Sequence, residues 1–230
     1  MPRLRTLLVI NAIALIVVPF GIMLSQVLVD GPLASLDSRI AAAIYKFDLR
    51  NPNIVVAARV VTQFGSTAAL TTFVIIAALF FALSRRRRRD AWFLVVTAVL
   101  GTIVNNVVKI AVGRDRPRFS PSVATAFGKS FPSGHAMNST VVYGALLVLV
   151  WPTLRGVRRK LAPWIVVTAI VAIGASRVVL DVHYVSDVLA GVTLGAALVC
   201  ASAAAFTPPT RPEPFEVQGT TTSVAKRSLP

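Results

Sequence analysis

The chain is poor in cysteine, histidine and acidic residues, and these shortages narrow the chemistry that it can perform. Its 230 residues include one cysteine, two histidines and nine aspartates and glutamates. The single cysteine, Cys200, excludes an internal disulfide, and its apolar surroundings in the sequence favour a buried, unreactive thiol. A zinc site made of clustered Cys and His is excluded, and the acidic residues are too scattered to form a carboxylate cage. We therefore expect no metal and no other cofactor.

Apolar and basic residues, in contrast, are abundant. Hydrophobic residues make up 55% of the chain, and the mean hydropathy is +0.73. Such values are typical of integral membrane proteins with several spans. The formal net charge of +15 would indicate a nucleic-acid partner in a soluble protein. Here the basic residues fall between apolar runs, so we predict topology signals, contact with anionic headgroups and an anionic substrate, and no nucleic-acid partner.

Six apolar segments divide the chain, and each is long enough to cross a bilayer. A helix rises ~1.5 Å per residue, so about 18 to 20 residues cover the ~30 Å hydrocarbon core. The segments are residues 6–29, 66–83, 91–108, 134–151, 162–180 and 185–206. We therefore predict an all-α integral membrane protein with six transmembrane helices, in which residues 1–206 form one domain.

Two further segments lie outside these spans. In residues 30–55, apolar side chains recur at roughly helical spacing. This pattern predicts an amphipathic helix at the outer membrane interface, and an ordinary packed connector is the alternative. Residues 207–230 are rich in Pro, Thr and Ser, a composition that predicts a disordered cytoplasmic tail.

The basic residues predict how the six spans are oriented. Three basic clusters fall on the same side of a six-span protein: Arg3 with Arg5, residues 85–89, and residues 155–160. The positive-inside rule makes this side the cytoplasm, with both termini inside. A fourth basic group lies on the outer side, between the third and fourth spans, where binding of an anion would account for it. Its members are Lys109, Arg114, Arg116, Arg118 and Lys129.

The two histidines lie in short polar motifs at the outer ends of predicted spans. His183 precedes Asp187 by four residues, a spacing that places both on one helix face. The carboxylate can then fix one ring nitrogen and leave the other as a nucleophile. His135 follows Ser133 and Gly134 at a helix start, where a hydroxyl, accessible N–H groups and the helix dipole suit an anion. His135 could protonate a leaving oxygen, although the residues alone do not decide which histidine attacks.

Three cations, Lys109, Arg116 and Arg177, are predicted at the same membrane face. Together they suit a phosphoryl group, whose charge is spread over several oxygens. Taken singly, each could be an interfacial residue whose charged end reaches the water. We interpret the other basic residues of the outer loop as interfacial residues of that kind. They are Arg114, Arg118 and Lys129.

The three polar motifs together resemble those of a known family. The segments KIAVGRDRP, FPSGH and SRVVLDVHYVSD contain the patterns Lys-x6-Arg-Pro, Pro-Ser-Gly-His and Ser-Arg-x5-His-x3-Asp, in that order. These patterns are similar to the signature of the type 2 phosphatidic acid phosphatase (PAP2) superfamily, which also includes vanadium-dependent haloperoxidases. The six predicted spans resemble its membrane branch and extend the similarity to nearly the whole chain.

The resemblance implies a role for each residue of the motifs. His183 attacks phosphorus and forms a phosphohistidine, Asp187 orients it, and His135 protonates the leaving group and then helps to activate water. The remaining residues hold the phosphate and stabilise its transition state. They are Lys109, Arg116, Ser133, Gly134 and Arg177.

We therefore predict a metal-independent membrane phosphatase, with its site at the outer face of a bacterial plasma membrane. Its substrate would be a lipid phosphate or diphosphate: polyprenyl diphosphate, phosphatidylglycerol phosphate or phosphatidic acid. The sequence does not choose among them and does not indicate an oligomeric state. One alternative is a haloperoxidase-like enzyme, although six spans argue against it. The other is a non-catalytic binder or transporter of lipid phosphates.

Overall fold

The structure, a computed structural model, describes residues 2–207, and within that range it contains helices and no strand. The α-helices are α1 Pro2–Leu15, α2 Gly21–Leu28, α3 Pro32–Arg50, α4 Pro52–Gln63, α5 Thr67–Leu83, α6 Arg88–Val112, α7 Gly134–Val150, α8 Gly156–Val179 and α9 Val185–Phe206. A π-helical turn, Ile16–Phe20, joins α1 to α2. Beyond Thr207, the predicted tail lies outside the described residues.

Six helical stretches of the described chain are long and apolar enough to cross a membrane. They are Arg3–Leu28, Pro52–Leu83, Arg85–Val112, Gly134–Thr153, Gly156–Val179 and Val185–Phe206. Many large apolar side chains of these stretches point outward, among them Ile76, Leu79 and Phe80, as expected where hydrocarbon replaces water as the solvent. The predicted all-α fold with six spans is confirmed, and the chain is an integral membrane protein.

The second span begins earlier than the sequence predicted. It consists of α4 and α5, separated by a turn at Phe64–Ser66, and therefore runs from residue 52 rather than residue 66. The Ser66 side chain caps α5 by accepting a hydrogen bond from the Ala69 N–H at 3.3 Å. At Gly65, a Cβ atom would lie 3.0 Å from Ser139 Oγ and 3.3 Å from His135 Cδ2. The glycine thus allows the turn to approach His135 closely.

The amphipathic helix predicted between the first two spans is present as α3, and its most deeply buried side chains are carboxylates. Pro32 occupies its first turn, where the missing N–H costs nothing. Its fully buried side chains include Asp37 and Asp48, whereas Leu36 and Phe47 are exposed. The carboxylates of Asp37 and Asp48 therefore point into the protein, whereas the large apolar side chains of Leu36 and Phe47 point outward.

Helices α7 and α9 pack against each other more extensively than any other pair of described helices. Close contact is possible because a Cβ at Gly191 would lie only 2.6 Å from the Ser133 carbonyl oxygen, and one at Gly195 only 2.8 Å from that of Met137. Real Cβ atoms do not approach so closely. At the end of this contact, the Ser133 N–H donates to the Asp187 carbonyl oxygen at 2.9 Å. The starts of α7 and α9 are thereby held side by side.

Asp48 and Asp181 are buried carboxyl groups outside the membrane spans. None of their carboxylate oxygens has a hydrogen-bond partner among the described residues. Burial raises the pKa of Asp48, and burial together with the Asp48 charge raises the pKa of Asp181 to about 7. The folded protein therefore retains a proton at Asp181 that the unfolded chain loses near its ordinary pKa of about 4.

This retained proton predicts how stability depends on pH. The contribution of Asp181 to the free energy of unfolding should fall as the pH rises from about 4 to about 7, and then level off. Asp181→Asn should stabilise the detergent-solubilised protein by on the order of 2 kcal/mol at pH 8 and have little effect at pH 4. Thermal denaturation at both pH values measures this difference. Asp115→Asn, at a carboxyl group that is 66% exposed, is the matched control; an equal gain in that variant would contradict the prediction.

Candidate active site

The predicted site residues converge at one end of the helix bundle. Lys109 lies in the last turn of α6, Arg177 in the last turn of α8, and His135 in the first turn of α7. His135 lies near enough to Arg177, His183, Arg116 and Lys109 to be affected by their charges. Because α6 and α8 each begin at a basic cluster and end at the site, the site lies at the end of the bundle opposite those clusters.

His183 is almost completely buried, and its two ring nitrogens have different neighbours. Nδ1 lies 3.4 Å from Asp187 Oδ2, and Nε2 lies 3.0 Å from Arg116 Nη1. A guanidinium can only donate hydrogen bonds, so Nε2 must be the unprotonated, accepting nitrogen. The proton is therefore on Nδ1, facing the carboxylate, and the lone pair of Nε2 is the one available for attack.

The four-residue spacing predicts that His183 and Asp187 lie on one helix face, and this prediction is wrong. Helix α9 begins at Val185, so His183 precedes the helix and Asp187 lies in its first turn. Asp187 Oδ2 reaches back and accepts the Tyr184 N–H at 2.9 Å, as in a capping box. The pair is thus brought together by a helix cap, which directs the carboxylate toward the residues before the helix.

The Asp187 carboxylate is fully buried and has partners on both oxygens. Oδ2 accepts hydrogen bonds from the Ser130 hydroxyl and the Tyr184 N–H, and faces His183 Nδ1. Oδ1 forms an ion pair with Arg114 Nη1 at 2.6 Å. Since each oxygen is held from a different direction, the carboxylate cannot rotate freely, and the orientation of the imidazole is fixed with it.

Arg114 is the main functional candidate that the sequence argument missed. The sequence suggests an interfacial residue, but the Arg114 side chain is only 12% exposed and bridges Asp187 and Asp37. The same interpretation agrees with the structure for Arg118, whose side chain is 84% exposed. In the sequence, only the position of Arg114 directly after Gly113 distinguishes it from the other loop cations. That glycine has φ 65° and ends α6 in a left-handed turn.

Arg116 is held by backbone carbonyl groups at the edge of the site. Nη1 donates to the Val182 carbonyl at 2.6 Å, Nε to Gly128 at 3.0 Å, and Nη2 to Phe127 at 3.1 Å. The Lys109 ammonium donates to the Lys129 carbonyl at 2.7 Å. These carbonyl contacts position both cations without neutralising their charges, which remain available to an anion.

Two buried hydrogen-bond donors of the site have no protein partner in the described part of the chain. Arg177 Nη1 donates to Thr62 Oγ1 at 2.7 Å, but Arg177 Nε is unpaired, as is the Ser133 hydroxyl. Ser133 is the N-cap residue of α7, yet its side chain makes no capping hydrogen bond. Buried polar groups in proteins are rarely left without a partner, so these donors are suited to an anion bound at the start of α7.

Gly134 has a packing role that the sequence did not indicate. A Cβ at this position would lie 3.1 Å from Asn105 Oδ1 on α6. The glycine therefore lets α6 and α7 approach each other at the site. Its predicted role in binding an anion is compatible with this contact and stays a prediction.

Burial determines the protonation state of His183, which lies between two spans. Burial lowers its pKa to about 4, although the hydrogen bond and charge of Asp187 oppose the shift. Arg116 and Lys109 lower the pKa further through their positive charges. His183 is therefore neutral at physiological pH, as a nucleophile must be.

This shift can be measured directly because the chain has only two histidines. In His135→Asn protein labelled with ¹⁵N-histidine, the remaining imidazole signal should titrate with a midpoint near pH 4. Asp187→Asn removes the group that opposes the shift, so the midpoint should fall still lower. A midpoint at or above pH 6 would contradict the burial of His183 in the folded protein.

Comparisons with known proteins agree with this geometry. The family model of the PAP2 superfamily matches residues 90–211. Phosphatidylglycerophosphatase B of Bacillus subtilis is 37% identical over 106 residues, which cover 44% of this chain and 52% of that protein. Lipid A 1-phosphatase of Rhizobium etli is 32% identical over 112 residues, which cover 45% of this chain and 44% of that protein. The chain thus spans about half the length of the curated relatives it matches.

A solved structure resembles the fold over most of its length. It is described as the crystal structure of the first transmembrane PAP2 type phosphatidylglycerolphosphate phosphatase from Bacillus subtilis. The TM-score is 0.74 at 28% sequence identity, and the alignment covers 84% of this chain and 94% of that one.

Proposed function

Because this chain belongs to the PAP2 superfamily, we propose that it is a membrane phosphatase that removes the terminal phosphate of a lipid phosphate through a phosphohistidine at His183. The observation that carries the proposal is the asymmetric surroundings of that imidazole. A fixed carboxylate lies behind Nδ1, and a cation lies at Nε2. A site that only binds an anion has no need of a buried, oriented and neutral histidine.

The reaction follows from the positions of the proposed residues. The Arg116 N–H that donates to Nε2 donates instead to an incoming phosphate oxygen, which frees the Nε2 lone pair for attack on phosphorus. Lys109 and Arg177, with the Ser133 hydroxyl, hold the other oxygens and stabilise the charge that spreads over them. Asp187 stabilises the positive charge that develops on the imidazole.

The two histidines differ in a way that supports their proposed roles. No hydrogen bond of His135 is found among the described residues, and His135 is half-buried, whereas His183 is buried beside a carboxylate. A general acid must reach the leaving oxygen, which stays attached to the lipid. His135, the more exposed histidine, is therefore suited to donate the proton, and His183, whose ring is held by Asp187, is suited to attack.

We propose phosphatidylglycerol phosphate as the first substrate to test, since a curated relative and the similar solved structure are both named for it. The site lies at the end of the bundle opposite the basic clusters. Under the positive-inside rule this position supports a site that faces the outer side of the membrane. There a lipid can present its headgroup while its acyl chains remain in the bilayer.

The experiment is phosphate release by the purified protein in detergent. Phosphatidylglycerol phosphate, phosphatidic acid and polyprenyl diphosphate are compared at equal surface concentration, with Arg118→Gln as a control variant of the same loop. We expect turnover of at least one substrate and an unchanged rate in the control. Binding of all three lipids without any phosphate release would reject the enzyme and leave a lipid-phosphate binder.

A chelator should leave this activity intact, because the proposed cations are side chains. Among the described residues, no group of three or more His, Cys, Asp or Glu side chains is placed to hold a metal ion. Phosphate release should therefore continue at an unchanged rate in excess EDTA. Loss of activity that is reversed by adding back a divalent ion would overturn this prediction.

A further inference from the structure

A buried network of charges connects the interfacial helix α3 to Asp187. Arg114 lies at its centre: Nη1 contacts Asp187 Oδ1 at 2.6 Å, and Nη2 contacts Asp37 Oδ2 at 2.9 Å. Asp37 and Asp187 are 2% and 0% exposed. One planar guanidinium thus joins two carboxylates, with one terminal nitrogen directed at each. A lysine ammonium has a single nitrogen and cannot reproduce this geometry.

The remaining contacts of Arg114 fix its position from several sides. Its guanidinium lies 4.1 Å from the centre of the Tyr184 ring, and Nη1 also donates to Ser186 Oγ at 2.8 Å. Its carbonyl oxygen accepts the N–H of Ser130 at 2.7 Å, and the hydroxyl of Ser130 donates to Asp187. Both the backbone and the side chain of Arg114 therefore contact residues that hold the catalytic carboxylate.

Asp37 completes the network from the other side. Its Oδ1 accepts the Ser186 N–H at 3.1 Å, and its Oδ2 accepts the Ser186 hydroxyl. Ser186 immediately precedes Asp187 in the first turn of α9. Asp37 therefore holds the backbone of that turn as well as the guanidinium. Burial of two carboxylates and an arginine is unfavourable unless all of them are paired, and here all of them are.

We propose that Arg114 and Asp37 are positioning residues that hold Asp187 in the orientation required to keep His183 as its Nδ1–H tautomer. Neither residue lies on the phosphate side of His183: they act on the far oxygen of Asp187 and on the start of α9. The proposal rests on the proposed function, in which His183 is the nucleophile. Once an incoming phosphate draws Arg116 away from Nε2, Asp187 alone keeps the proton on Nδ1. Without Arg114, Asp187 can then turn away from Nδ1, and the imidazole distributes its proton between both nitrogens.

The test compares Arg114→Gln, Arg114→Lys and Asp37→Asn with the exposed control Arg118→Gln. We expect kcat to fall about 100-fold in Arg114→Gln and about 10-fold in Asp37→Asn. This is the range seen in metalloenzymes when a residue that orients a metal-ligating side chain is removed. KM should change by less than about threefold, because uniform binding of the phosphate is unaffected. Arg114→Lys retains the positive charge but loses the two terminal nitrogens of the guanidinium, so its kcat should lie between those of Arg114→Gln and the wild type.

The tautomer of His183 provides a readout that a purely structural role would not change. The spectrum is recorded on ¹⁵N-histidine-labelled His135→Asn protein with saturating inorganic phosphate, which occupies Arg116. The shifts should indicate Nδ1–H, and adding Arg114→Gln should move them toward a mixture of tautomers. The folded fraction of each variant is measured by size-exclusion chromatography, and kcat is expressed per folded protein. Should Arg114→Gln fail to fold, the Asp37→Asn and Arg114→Lys variants decide the question.

Two results would overturn the proposal: a kcat within threefold of wild type in the folded Arg114 and Asp37 variants, or an unchanged His183 tautomer in them. A failure of the proposed function would look different. The wild-type protein would then release no phosphate from any lipid, while the effect of Arg114→Gln on the tautomer would still be observed.

Discussion

Replacing His183 with alanine should reduce phosphate release by a factor of about 10⁴ or more, the largest effect expected of any single substitution in this chain. In the proposed mechanism, the Nε2 lone pair makes the bond to phosphorus, so no smaller side chain can replace it. Because the imidazole is buried between Asp187 and Arg116, water entering the space left by alanine would meet a fixed carboxylate rather than a base aligned with phosphorus. The rate is measured as release of ³²P-phosphate from labelled lipid.

The covalent intermediate provides a more direct test than the rate. Wild-type protein quenched during turnover should carry ³²P in a linkage that is stable to alkali and labile to acid, as expected for a phosphorus–nitrogen bond. The His183→Ala variant should carry none, although it should still bind the lipid through Lys109, Arg116 and Arg177. With the diphosphate as substrate, His135→Ala is the matched control, since it loses the other histidine and should still be labelled. Label on the His183→Ala protein would show that a different residue attacks.

The spans and the residues around His183 could be predicted because each leaves a local pattern. Hydropathy predicted six spans, since a bilayer requires a continuous apolar run, although the second begins at residue 52 rather than at residue 66. The spacing of His183 and Asp187 predicted their contact, although a helix cap rather than a helix face brings them together. A separation of four residues allows both geometries. The predicted contact is therefore confirmed, whereas the predicted helix-face geometry is wrong.

The network behind Asp187 could not be predicted, because its members are far apart in the sequence. Arg114 and Asp37 are separated by 77 residues, and both resemble ordinary interfacial charges. Periodicity predicted that α3 is amphipathic, but in a membrane protein the apolar face can point to lipid and the polar face into the protein. Only the position of α3 beside the start of α9 shows that Asp37 is a structural part of the site.

His135 has the second large expected effect, and this effect should depend on the leaving group. An alkoxide leaving phosphatidic acid is a strong base and needs a proton, so His135→Asn should slow transfer of phosphate to His183 by about 10²–10⁴-fold. A polyprenyl phosphate leaving the diphosphate is already stable as an anion, with a second pKa of about 6 as in other phosphate monoesters. The same substitution should slow that transfer less than tenfold, which corresponds to about 1.4 kcal/mol.

The comparison must be made on the first chemical step, because His135 is also proposed to activate water in the second. Rapid-quench measurement of ³²P on His183 isolates the transfer, and labelled phosphohistidine should accumulate in His135→Asn when the diphosphate is supplied. Gly65 packs against the His135 ring, so His135→Asn could disturb the turn between α4 and α5; a purely structural disturbance of this kind would slow transfer from both lipids equally. An equal loss on the two substrates would therefore remove His135 from the role of general acid, whereas a loss confined to phosphatidic acid requires a proton donor at that position.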